Sequence, residues 1–108
     1  MRFFTYDLAI HIATGLVKPL DAIRRHNANL ARHGSEALES VALNVAEASG
    51  RLGGDRHKQF SVALGSLREL NAAIDLAVLR GYLADAPLAI ERDRLGGLLW
   101  SLAHRKRR

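Results

Sequence analysis

Ser40-Val-Ala-Leu-Asn-Val-Ala-Glu-Ala-Ser-Gly-Arg51 is the stretch whose reading decides the fold. Val41, Val45 and Ala48 recur at the spacing of one helix face, and Gly50 stands where that helix would stop. The stretch reads as the second half of a helix, its stop signal, and a turn into a long partner rich in alanine and leucine. Glycine adopts the left-handed conformation without a Cβ penalty, so Gly50 is expected there, just past the helix end.

The helix that contains this stretch extends back to about Leu30. Leu30, Gly34, Ala37, Leu38, Val41, Val45 and Ala48 share one face of small total volume, which lets a second helix axis come close. The partner opens near Asp55, a good N-cap, and runs to about Arg80, with Gly81 ending it. Phe60, Ala63, Leu64, Leu67, Leu70, Ile74 and Val78 form its apolar stripe. Asn71 falls in the middle of that stripe, where a buried amide must find hydrogen-bond partners. Val62, Gly65, Glu69, Ala72, Ala73 and Leu76 lie on the opposite side, which carries fewer charges than a plain solvated face would.

Two further helices flank this pair. The first starts near Thr5 or Asp7, both acceptable N-caps, and reaches about His26, with Ala9, Ile12, Ala13, Leu16, Leu20 and Ile23 on one side. Gly15 and Pro19 lie inside it, and a proline there removes a backbone hydrogen bond. A kink is expected near Pro19, the alternative being two shorter helices. The last helix starts around Pro87, which suits a first turn, with Leu88, Leu95, Leu98, Leu99 and Leu102 as its stripe. Trp100 falls outside that stripe, beside Gly96, Gly97, Ala89 and Ala103.

Four amphipathic helices with short connections predict an all-α, antiparallel up-down-up-down four-helix bundle. It forms one domain over residues 1–108 with a basic C-terminal tail at 105–108. In that topology Arg2, Arg51, Arg56, Lys58 and Arg105 to Arg108 gather at one end.

Composition bounds the function. The chain has 108 residues, 48% hydrophobic, which is enough for a single globular core. Its net charge is +5, but Arg105, Lys106, Arg107 and Arg108 supply four of those charges. The rest of the chain is close to neutral, unlike the basic surface of a dedicated DNA-binding domain. No apolar run approaches the roughly 18–20 residues of a membrane helix, so no membrane partner is expected. Met1–Asp7 lacks the apolar stretch of a secretory signal, and there is no cysteine. Both suit a cytoplasmic location.

Ser40, Asn44, Ala46 and Glu47, the segment Ala63-Leu-Gly-Ser-Leu-Arg-Glu-Leu70 and Arg80-Gly-Tyr-Leu83 together resemble a known family. It is the family of four-helix bundle proteins related to those encoded in intervening sequences of bacterial large-subunit ribosomal RNA genes. The resemblance covers about residues 5–102. It implies a left-handed antiparallel bundle that assembles as a homopentamer, with a mostly unassigned biochemical role. A similar bundle is an accessory factor of diversity-generating retroelements, where a pentamer contacts a reverse transcriptase and nucleic acid. Ala42 and Ala48 replace a proline and a glycine of the family pattern, so this helix is expected to be straighter. Ser35 and Glu36 stand where the family commonly has a basic pair.

The motif residues Asn44, Glu47, Arg51, Gly65, Ser66 and Glu69 read as packing and orienting groups. The carboxylates of Glu47 and Glu69 suggest acid–base or metal chemistry, but bundles holding two metals use paired Glu-x-x-His motifs, which this chain lacks. Its five histidines are scattered, and Gly50–Gly54 lacks the Gly-Lys-Ser/Thr ending of a phosphate loop. No catalytic, metal or cofactor residue is assigned. Val62, Leu76 and Trp100 read as subunit contacts, the alternative being that wide stripes wrap a thick core. Arg51, Arg56, Lys58, Arg105, Lys106, Arg107 and Arg108 are the candidate nucleic-acid contacts, the alternative being a solvated end. The expectation is a non-enzymatic, homo-oligomeric, pentameric interaction protein. The alternative is an accessory protein that binds RNA, DNA or a nucleic-acid enzyme through its basic end.

Overall fold

A computed structural model of the chain describes residues 4–50 and 54–105. They form five α-helices: α1 (Phe4–Gly15), α2 (Val17–His26), α3 (Ala28–Ser49), α4 (Gly54–Leu79) and α5 (Ala89–Ala103). No strand occurs among the described residues.

The first expected helix is divided, with Leu16 between α1 and α2. Backbone bonds pass through the break, from Leu16 N–H to Ile12 O at 3.0 Å and from Leu20 N–H to Leu16 O at 2.9 Å. Pro19 has no N–H to offer the carbonyl of Gly15, so one rung of the ladder is lost. The outcome is the two-helix alternative, broken three residues before the proline. Thr5 and Asp7 lie within the first turn of α1, which begins at Phe4.

α3 begins at Ala28, two residues earlier than expected. Asn27 is extended (φ −154°) and its side-chain oxygen accepts from Leu30 N–H at 2.9 Å, so a single capping residue separates α2 from α3. Gly50 departs from expectation: it has φ −96° and ψ 2°. Its N–H bonds Glu47 O at 3.2 Å, a tight final turn that any residue can make.

The left-handed stop is at the far end of α4. Gly81 has φ 77°, Gly81 N–H bonds Val78 O at 3.0 Å and Tyr82 N–H bonds Ala77 O at 2.8 Å. That pair of bonds satisfies carbonyls the helix end would leave open. α5 starts two residues after Pro87, not at it, because Leu88 is itself left-handed (φ 53°, ψ 34°). The Leu88 side chain occupies the space left by Gly15, where a Cβ would come within 2.5 Å of Leu88 Cδ1.

α3 packs on α4 most extensively and also receives α1 and α2, while α5 packs on α4 and α1. Ile12, Leu16, Ile23, Val41, Val45, Phe60, Leu67, Leu70, Ile74, Leu95 and Leu99 are fully buried within one cluster. The small face of α3 explains the close approach. A Cβ on Gly34 would lie 3.1 Å from Leu20 Cδ2 and 3.7 Å from Ala73 Cβ, so this one position admits α2 and α4 together. Ala73, expected on the outer side of α4, is buried there. No helix among the described residues is long and apolar enough to cross a membrane.

Candidate functional site

Polar residues inside the core stripes find partners across α4. On its α3 flank, the hydroxyls of Ser40 and Ser66 share a hydrogen bond of 2.7 Å. The Asn44 amide donates back to Ser40 O at 2.8 Å and to Ser40 Oγ at 3.2 Å. Asn44 thus closes a turn of its own helix and orients Ser40 toward α4.

On the α5 flank, the Asn71 oxygen accepts a bond of 2.6 Å from Arg92 Nη1. Arg92 Nε donates to Pro87 O at 3.0 Å. Arg92 is only 5% exposed. Loss of water pushes its pKa down, and the Asp75 carboxylate acts in the opposite sense. The guanidinium remains a cation in either case. Arg92 was not singled out by sequence, although it continues the Leu88, Leu95, Leu99, Leu102 stripe. It and Asn71 are polar interruptions of two facing stripes, and that coincidence was the available signal.

Each flank of α4 also carries an open groove. The α3-side groove, of about 260 Å³, is lined by Leu30, His33, Glu69, Ala72, Ala73 and Leu76. The α5-side groove, of about 200 Å³, has Arg68, Asn71, Arg92, Asp93, Gly96, Gly97 and Trp100 among its lining residues. Trp100 is 54% exposed, and its ring stacks on His104 at 4.3 Å between centroids.

Glu47 and Glu69, both exposed, are not brought together. Ser40 faces Ser66 and Gly34 faces Ala73, so the two carboxylates lie about 15 Å apart along the helix axes at 1.5 Å per residue. No group of three or more His, Asp or Glu side chains suited to a metal occurs among the described residues. Val62, Gly65 and Leu76 are exposed on α4.

Of the basic candidates, Arg51, Lys106, Arg107 and Arg108 lie outside the described residues, as does Arg2. Arg56 lies over the Phe60 ring at 5.6 Å, and Lys58 and Arg105 are exposed. Asn71 meets Arg92 and Leu67 lies against Gly96. That register carries Arg105 to the level of Lys58, with Arg56 nearby. The chain matches no family model, no curated protein and no solved structure.

Proposed function

We propose that this protein is a non-enzymatic, homo-oligomeric interaction module built as a left-handed, antiparallel four-rod bundle. In this reading α1 and α2 act as one kinked rod, and five copies form a ring, as the resemblance to the ribosomal RNA intervening-sequence family implies. The bundle reading is supported by the ring of neighbours, α1–α2 beside α3, then α4, then α5, then α1 again. Dimensions of 48 × 22 × 21 Å suit rods two abreast, each about 10–12 Å across.

One observation carries the assembly. Val62, Gly65, Glu69, Ala72, Leu76 and Leu79 are all exposed, and they follow one another at steps of three and four. This is the spacing of a helix–helix seam, and here it faces outward. Val62 and Leu76 are 45% exposed and Leu79 is 79% exposed, while Gly65 and Ala72 leave room for a second helix to approach. Trp100, the third expected contact, lies on the α5 flank. Light scattering at micromolar concentration should give five times the 11.9 kDa chain mass. A monomer overturns the reading.

The basic end supports a second reading, attachment to nucleic acid or a nucleic-acid enzyme. Lys58 and Arg105 are exposed at one level with Arg56 nearby, and exposed cations attract phosphate without sequence preference. Truncation after His104 should abolish RNA retention at low salt. Retention that is absent in the full chain, or unchanged by truncation, removes this reading.

A further inference from the structure

The α5-side groove combines an exposed ring, a floor without side chains and side-chain donors along one edge. Gly96 and Gly97 lie one turn before Trp100 on α5. A Cβ on Gly97 would meet no atom within 4 Å, and one on Gly96 would only touch Leu67 Cδ2 at 3.6 Å. The result is open space beside the indole, and the groove's volume of about 200 Å³ suits one ring system.

The polar edge is unusual. Of the five N–H donors of a guanidinium, Arg92 uses one on Pro87 O and one on Asn71 Oδ1. The other three have no protein acceptor among the described residues, although Arg92 is nine-tenths buried and lines the groove. The amide nitrogen of Asn71 likewise has no protein acceptor there. These donors reach the water of the groove, because Gln59 Oε1 is the buried side-chain polar atom without a partner among the described residues, so a ligand that supplies acceptors takes the place of water at this edge. Asp93 belongs to the same lining and carries a carboxylate that can accept.

Charge identifies the kind of ligand. Arg68 and Arg92 are balanced by Asp93 in the lining and by Asp75 beside Arg92. A free phosphate or carboxylate gains little from a balanced site. A neutral ring with an accepting edge and a donating edge fits every group present. We propose that the α4–α5 groove is a nucleobase site, with Trp100 as stacking face and guanine as the preferred base. Guanine offers O6 and N7 to the Arg92 and Asn71 donors, and its N1–H and exocyclic amine to Asp93. Adenine presents a donor where guanine presents O6, which would face donors with a donor.

The site is complete within one chain, so it stands or falls separately from assembly on the outer face of α4. Trp100 is the single tryptophan, so its fluorescence, excited where nucleotides do not absorb, reports on the groove directly. Guanosine monophosphate should quench it saturably, and adenosine, cytidine and uridine monophosphates should bind at least about tenfold more weakly. Comparison with a short single-stranded RNA containing one guanine separates the sources. Equal half-saturation assigns a free nucleotide, and tighter RNA binding assigns a strand.

Gly97→Leu should fill the groove, leave the melting temperature unchanged or raised, and weaken binding by about tenfold or more, the size of a lost stacked base. Asp93→Asn should erase the preference for guanine. The proposal is overturned if no nucleotide or RNA quenches saturably, or if quenching is unchanged in Gly97→Leu. It is equally overturned if Trp100 emission changes only with protein concentration, which would assign the groove to a second copy.

Discussion

At the scale of single residues, Arg92 is the one buried charged side chain among the described residues. It ties Pro87, in the loop before α5, to Asn71 in the middle of α4. Arg92→Leu would strand the Asn71 oxygen and the Pro87 carbonyl away from donors. Each stranded group costs about 1–3 kcal/mol, so urea unfolding should show a loss of about 2–6 kcal/mol. Replacing both residues, Arg92→Met with Asn71→Leu, should recover much of that loss, because no orphaned partner then remains. Additive losses in the double-mutant cycle would show that the two side chains do not act as a pair. Ser66→Ala is a smaller case. It removes one bond to Ser40 and should cost about 1 kcal/mol, read by the same titration.

At the scale of elements, Gly81 and Gly34 mark where backbone geometry or close packing rules out a side chain, and Gly50 does not. Gly81 needs its left-handed φ of 77° to stop α4, whereas Gly50 stops α3 at φ −96° with room for a Cβ, 3.8 Å from Glu47 O. Gly81→Ala should therefore lower stability by about 1 kcal/mol. Gly50→Ala should be neutral or stabilising by up to about 1 kcal/mol. Comparing the two thermal melts checks the assignment, and equal losses would contradict it. Gly34 is different because the constraint is space. Gly34→Leu must displace Leu20 and Ala73 and should cost about 1–3 kcal/mol or more, again measurable by melting. The break at Leu16 follows from Pro19 together with Gly15, whose missing side chain receives Leu88.

At the scale of the whole molecule, the outward seam on α4 is where the proposed assembly can be tested. Val62→Glu with Leu76→Glu places like charges on that seam without touching the core, since both positions are 45% exposed. The variant should elute and scatter as a monomer with an unchanged melt. A particle still several chains in mass would move the interface elsewhere. The α3-side groove, with His33 and Glu69 in its lining, borders the same seam.

Helical periodicity determined the α-helical class and most of the buried residues. Ile12, Leu16, Val41, Val45, Phe60, Leu67, Leu95 and Leu99 lie on the faces that their spacing assigns, because burial on a helix repeats every 3.6 residues whatever the partner. The stop at Gly81 was equally local. Asn71 was legible as a buried amide in need of partners, but the partner was not, because Arg92 lies 21 residues away and only packing of α5 on α4 brings them together. Gly50 and Pro87 misled for one reason: each has a preferred local role, and the neighbouring chain did not require it. Leu88 took the left-handed turn and set the start of α5. Ser40 to Gly50 marked the end of α3 from its own residues. The bond from Ser40 to Ser66, the groove beside Trp100 and the outward seam of α4 were decided only by tertiary structure, because each depends on how neighbouring helices cover the faces of α4.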